Sequence, residues 1–335
     1  MFSYIVMPCL NEEDALAATC KSLGFGFGIS GATEGVLIVV DNGSTDRTMQ
    51  IALGIQRNSP VGSVLIVSEL EKGFVPARLR GANEAINQAK LLGLPFSRTM
   101  LLQVDADADY SPNYVNGFIG VANRFGKGHL FEAESVPPGN MTASEHDLME
   151  LLHQFDSAFF DSLGLENIAT DCVVDDKMVG FILSDWIASG GITRDWACGK
   201  EMIYCGTSRF WVRMLAKGFT RILVEDSRCA HSMRKISEGA DIYAATGGWP
   251  RGTKWKHKWR QRFPERLNAA EFIAAQGTPI YEATLESRQV HLEAIFRCTP
   301  NVLMGQIAQQ IEINPASILI DGFDSAGLDL REDLV

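Results

Sequence analysis

The stretch LLQVDADADY, residues 101–110, places three aspartates, Asp105, Asp107 and Asp109, at alternate positions directly behind an apolar run. Carboxylates this close repel one another unless a cation or a fixed set of donors holds them. The run before them reads as a strand, so the question is what stands at the ends of the neighbouring strands. SYIVMP is a short apolar strand ending at Pro8. GVLIVVD is a second, ending at Asp41, and SVLIVS is a third. Between them lie helical stretches. NEEDALAATCKSLG is acidic at its start, which suits the helix dipole, and VPARLRGANEAINQAK repeats apolar residues at Val75, Leu79, Ala82, Ile86 and Ala89. Ser44 or Asp46 can cap the helix after the second strand. Continuous apolar strands alternating with helices imply a mostly parallel sheet covered on both faces. In such sheets ligands bind beyond the carboxyl ends of the strands. Pro8, Asp41 and Asp105 each sit at such an end, so three polar stretches converge on one edge.

Composition narrows the class. The chain has 335 residues and a net charge of −11, which disfavours nonspecific nucleic-acid binding. No segment reaches the ~18 consecutive apolar residues of a membrane span. Seven cysteines without a CxxC pair fit a reduced, cytoplasmic chain with neither a disulfide framework nor a zinc site. The start, MFSYIVMPCLNEED, lacks the features of a signal peptide.

Asp-x-Asp is common, and on spacing alone a capped turn with solvated carboxylates explains it. Its place behind a buried strand, beside two other polar strand ends, favours a site. A hard divalent ion takes one or two carboxylates plus substrate phosphates, and would relieve the repulsion at Asp105 and Asp107. Asp109 is read as turn chemistry or the cap of a helix beginning near Pro112.

VMPCLNEED, VVDNGSTDRT, EKGFVPARLRGANEAI and VDADADYSP, in this order and spacing, resemble the N-terminal half of family 2 glycosyltransferases with the GT-A fold. The resemblance covers the first third closely and residues 180–235 loosely. It implies a Rossmann-like α/β domain over residues 1–240, with a nucleotide-sugar-binding half (1–115) and an acceptor half (116–240). A basic aromatic segment and helical C-terminal extension would occupy 241–335. It further implies a metal-dependent enzyme, using Mn2+ or Mg2+, that moves a sugar from a nucleotide-sugar donor, by fold analogy a UDP-sugar, to a hydroxyl acceptor. Position by position, Asp41 would accept a hydrogen bond from the base. Pro8, Asn11 and Glu12 would line base and ribose, and Ser44 would contact the same nucleotide. Lys72 and Arg78 would lie near the diphosphate. Asp107 would bind the metal directly, Asp105 would contact ribose or the metal, and Ala106 between them would belong to the nucleotide-binding set. His231, in VEDSRCAHSMRK, would be a further metal ligand; the competing reading is a histidine hydrogen-bonded near a strand end.

The catalytic base departs from the family pattern. Inverting members carry Glu-Asp at the start of the acceptor helix, where this chain has Gly206 and Thr207 in GTSRFWVRMLAKGF. Glu201, ahead of Asp195, is the candidate replacement for an inverting enzyme. A retaining reaction, and a nucleotide-binding module that has lost transfer, are the alternatives. Glu225-Asp226 is set aside because it follows a strand. A sugar-nucleotide pyrophosphorylase would want a Gly-rich loop after the first strand, and MPCLNEED has none.

Within GGWPRGTKWKHKWRQRFPER, residues 247–266, Trp255, Trp259 and Phe263 recur every four residues beside Lys254, Lys258 and Arg262. A helix whose aromatic face packs on the core is favoured over a peripheral contact with the inner membrane face through 251–263. A loop over the diphosphate is the third reading. The acceptor (glycan, lipid-phosphate or small molecule) carries no motif, and the C-terminal segment leaves a homo-oligomer open.

Overall fold

The computed structural model describes residues 1–27, 35–162, 174–194, 196–197, 201–202, 206–246, 253–262 and 264–274. An eight-stranded sheet has the order β3-β2-β1-β4-β7-β6-β10-β5. Its strands are β1 (Phe2–Cys9), β2 (Gly35–Asp41), β3 (Val64–Ser68), β4 (Thr99–Val104), β5 (Asp109–Tyr110), β6 (His129–Val136), β7 (Met178–Ile182) and β10 (Thr220–Ala230). A separate two-stranded ribbon pairs β8 (Trp196–Ala197) with β9 (Glu201–Met202). β1, β2, β3 and β4 are mutually parallel, and so are β6 and β10, whereas β7 runs antiparallel to both β4 and β6. This is the mostly parallel α/β sheet expected.

The strand runs are apolar throughout because helices cover both faces. On one face Ile5, Met7, Leu37 and Val39 pack with Leu16 and Cys20 of α1 (Leu16–Ser22), Ala52 and Ile55 of α2 (Thr48–Arg57), and Val115 and Phe118 of α4 (Tyr114–Phe125). On the other lies α3 (Phe74–Leu91), which approaches so closely that a Cβ on Gly81 would stand 2.3 Å from Val6 Cγ1.

Several local expectations change. β1 continues past Pro8 to Cys9. The first helix starts only at Leu16, so Glu12, Glu13 and Asp14 precede it, and its first turn is not acidic. Their backbone is committed elsewhere, as described below. Asp109 is a strand residue paired with Ala230, and α4 begins at Tyr114 behind Asn113, whose side chain makes no capping bond. Glu225 and Asp226 lie inside β10, exposed at the irregularity between Val224 and Arg228.

The chain divides into two compact units. The first comprises residues 1–138, 174–193 and 213–232 and contains the eight-stranded sheet. In the second, residues 139–173, 194–212 and 233–335, α5 (Ala143–Ser162) opens with a reciprocal cap. Glu145 Oε2 accepts the Thr142 amide, and Thr142 Oγ1 accepts the Glu145 amide. Asn268 and Glu271 repeat that arrangement ahead of the helix Ala269–Ala274. Most of the expected helical C-terminal extension within 241–335 lies outside the described residues. No helix among the described residues is long and apolar enough to cross a membrane.

Candidate active site

The carboxyl ends of β1, β2, β3, β4, β6 and β10 and the beginning of β7 all face one edge of the first unit, as their pairing directions require. The loops after β1 and β2 are interlocked there. Asn11, in the left-handed region at φ 56°, donates its amide to Ser44 Oγ (3.1 Å), and its Oδ1 accepts the Thr45 amide (2.8 Å). The Glu12 amide donates to Thr48 Oγ1 (2.7 Å), and the Glu13 amide donates to Asp46 Oδ2 (3.1 Å). Asp46 Oδ1 also accepts the amide of Thr48, the first residue of α2. The acidic start of NEED is thus a clasp between loops.

Glu13 completes the clasp by accepting both the Arg47 amide and its Nε, each at 3.0 Å. The amide bond first and the guanidinium second hold the Glu13 carboxyl below its ordinary range. A depressed carboxylate contributes stability above its unfolded pKa and loses it as pH falls through the lower folded value. Glu13→Gln therefore lowers the melting temperature slightly at neutral pH, and the difference from wild type narrows as pH falls below the ordinary glutamate range. A difference that persists in acid would show that the charge is not what holds the clasp.

Asp41 ends β2 with only 8% of its surface exposed. Its Oδ1 accepts the Ser44 amide (3.1 Å) and its Oδ2 the Gly43 amide (3.3 Å), which fixes the carboxylate's direction. Asn42, buried beside it, donates to the carbonyls of Glu69 and Glu71 and accepts the Gly73 amide. The side chain of Asn42 therefore fixes the start of α3 relative to β2. That role was not read from the sequence, although Asn42 is the variable second residue of the DNGS motif. Gly73, at φ 126°, supplies a backbone conformation that other residues rarely adopt.

The cations expected near a diphosphate are already engaged. Lys72 Nζ donates to the carbonyls of Asn42 (2.8 Å) and Gly43 (2.7 Å). Arg78, with 4% of its side chain exposed, pairs through Nη2 with Asp105 Oδ1 (2.7 Å) and through Nη1 with Asp176 Oδ2 (3.3 Å). Asp105 and Asp107 flank the buried Ala106 in the turn between β4 and β5, and both are partly exposed. Pro8 and Glu12 are likewise partly exposed at this edge, whereas Asn11 is exposed.

His231 follows β10. Its Nε2 is hydrogen-bonded to Ser135 Oγ and lies 3.7 Å from Asp175 Oδ2, and its buried Nδ1 has no partner among the described residues. Burial foremost, then Lys177, lowers its pKa, so the ring is neutral at pH 7. Asp175 is pushed up by burial, but Lys177 and His231 outweigh this and hold it below the ordinary range. Glu132 is pushed up by burial against the pull of Arg221, with which it pairs at 3.0 Å.

Among the described residues no three His, Cys, Asp or Glu side chains converge on a metal-sized site. The donor set nevertheless fits a hard divalent cation, which commonly takes one or two carboxylates from protein and the rest from water and substrate phosphate. Asp107, with the second oxygen of Asp105, would hold it.

Neither base candidate has a described side chain. Glu201 belongs to β9, its side chain outside the described residues, and Asp195 lies outside them altogether. Gly206 does open a helix, Gly206–Leu215, with Thr207 buried. Arg213 of this helix donates to the Gly191 carbonyl.

In the second unit, Trp259 of the helix Thr253–Arg262 is buried beside Ala245 and Ile242. Its Nε1 donates to Asp241 Oδ2 (3.1 Å), so at this position the aromatic face is core. Lys256, Lys258 and Arg262 are exposed. The side chains of Lys254, Trp255 and Phe263 lie outside the described residues.

Residues 4–131 match the family model described as glycosyl transferase family 2. Over these residues the chain is similar to that family. The match encloses Asn11, Asp41, Arg78, Asp105 and Asp107 but ends before Asp175, Asp176 and His231. No curated protein matches the chain. Similar solved structures include S. aureus TarS 1–349, 12% identical, covering 90% of this chain and 81% of that chain at a TM-score of 0.47. The mannosyltransferase PcManGT from Pyrobaculum calidifontis, in complex with GDP-Man and Mn2+, is 16% identical, covering 98% and 81% at 0.48. Glucosyl-3-phosphoglycerate synthase from Mycobacterium tuberculosis, in complex with Mn2+, UDP-glucose and phosphoglyceric acid, is 16% identical, covering 89% and 80% at 0.42.

Proposed function

We propose that the chain is a metal-dependent glycosyltransferase that binds a nucleotide-sugar, a UDP-sugar being favoured, at the edge formed by Asp41 and the Asp105–Asp107 turn. One observation carries this reading: Lys72 and Arg78, which flank the nucleotide edge, already hold carbonyls and carboxylates. A diphosphate entering beside Asp105 and Asp107 meets two carboxylates, and a divalent cation reconciles these charges. When bound, the cation would stabilise the diphosphate as it leaves. Asp41, aimed by the amides of Gly43 and Ser44, accepts the imide N–H of a uracil base. The Asn11–Ser44 clasp holds the loop against which base and ribose lie.

The acceptor hydroxyl needs a base, and Glu201 remains the proposed group, with Asp195 second. Such a base gives inversion at the anomeric carbon. Peripheral contact with an anionic membrane would use the exposed Lys256, Lys258 and Arg262.

The test is calorimetric binding of UDP, GDP, ADP and CDP with Mn2+ and after its removal by chelator. One nucleotide bound only with metal supports the reading. Equal binding in the chelator removes the metal, and no binding to any of the four removes the donor site. Hydrolysis of the donor without acceptor then separates a transferase from a module that only binds.

A further inference from the structure

Residues 174–177, Val-Asp-Asp-Lys, lie beyond the family match and hold no role in the donor site described above. They precede β7, whose first residue Met178 pairs with Val104 at the end of β4. Antiparallel pairing therefore delivers them to the ligand edge, next to the Asp105 turn. The two segments are tied twice. Through the main chain, the Tyr110 hydroxyl accepts the Asp105 amide (2.8 Å) and donates to the Lys177 carbonyl (3.1 Å). Through side chains, Arg78 spans Asp105 and Asp176.

The guanidinium is a rigid fork, so fixing one prong aims the other. Phe74 lies beside it, its ring centroid 5.7 Å from the central carbon. Lys177 Nζ pairs with Asp175 Oδ2 at 2.8 Å. Two cations thus face Asp105, Asp175 and Asp176, leaving an excess of one negative charge before Asp107 is counted. Arg78 cannot neutralise both of its partners.

We propose that Asp176 is a positioning residue for the donor site. By holding one prong of Arg78 it aims the other at Asp105 Oδ1, directs the second oxygen of Asp105 toward nucleotide and cation, and leaves Asp105 part of its negative charge. This rests on the donor-site reading above. Without the Asp176 charge, both prongs of Arg78 turn to Asp105, whose carboxylate rotates and is neutralised.

The test compares wild type, Asp176→Asn and Asp176→Glu in calorimetric binding of the nucleoside diphosphate with Mn2+, together with a crystal structure of Asp176→Asn. Residues that orient a metal ligand from behind typically cost 10–100-fold in affinity, so Asp176→Asn weakens binding about tenfold. Asp176→Glu keeps the charge and recovers binding to within about threefold. A purely structural defect would lower the melting temperature without this charge-dependent recovery. Asp105 should be rotated in the Asp176→Asn crystal. An unmoved Asp105, or a dissociation constant unchanged in Asp176→Asn, overturns the proposal while leaving the donor site intact. A wild type that binds none of the four diphosphates overturns both, so the two failures are distinguishable.

Discussion

Replacing Asp107 by Asn abolishes metal-dependent nucleotide binding. The expected loss is at least about 100-fold, near 3 kcal/mol. Asp107 and Asp105 are the carboxylates on the turn behind β4, and Asp105 is partly committed to Arg78. Asp107 is the second carboxylate of that turn, and it is partly exposed. An amide keeps the shape of the side chain but not its charge, so the folded state is little disturbed. Calorimetry with Mn2+ should show tight binding for wild type and only weak, metal-independent binding for the variant. Thermal unfolding should be nearly unchanged. If Asp107→Asn binds the nucleotide as tightly as wild type with metal present, the aspartate turn is a solvated turn and the cation, if used, is held elsewhere.

Asp241→Ala should detach the basic helix Thr253–Arg262 from the second unit. Asp241 is 1% exposed, and its Oδ2 accepts both Trp259 Nε1 (3.1 Å) and Arg260 Nη1 (2.8 Å). Its Oδ1 accepts the Leu267 amide (3.3 Å), so one carboxylate anchors the helix and the segment behind it. Removing one partner of a buried ion pair costs about 3–5 kcal/mol. The partial exposure of Arg260 places this loss near the lower figure. Hydrogen exchange read over residues 253–262 should accelerate strongly in the variant, while β1, β2 and β4 stay protected. Unchanged protection of that helix would mean that apolar packing around Trp259 suffices to hold it.

The first four strands were legible because each is a continuous apolar run closed by a polar residue, the pattern that burial on both faces imposes. Asp41, Asp105 and Asp107 were legible for the same reason: their positions follow from where the runs stop. The fate of Lys72 was not, because its partners are the carbonyls of Asn42 and Gly43, and carbonyls carry no sequence signature. Arg78 was misleading in a different way. Its acidic partner Asp176 lies almost a hundred residues downstream, and only the non-local pairing of β4 with β7 brings the two together. The one local hint was an acidic pair and a lysine standing directly before the apolar run MVGFIL. NEED was misread as the first turn of a helix because acidic residues ahead of an apolar repeat have the same spacing whether they cap a helix or clasp a neighbouring loop. The basic aromatic stripe carried three meanings, and at Trp259 a buried carboxylate in another helix decided for the core.

The first unit is assembled from three separated stretches, and β10, the last strand among the described residues, lies between β6 and β5 in the sheet. On a ribosome adding 5–20 residues per second, β10 follows β5 by on the order of ten seconds. During that interval β6 presents an unpaired edge, and the aspartate turn lacks the strand that pairs with Asp109 and Tyr110. The edge that carries the aspartate turn is therefore among the last parts of the first unit to mature, and substitutions that slow the pairing of β10 should lower the yield of native protein more than the stability of molecules already folded.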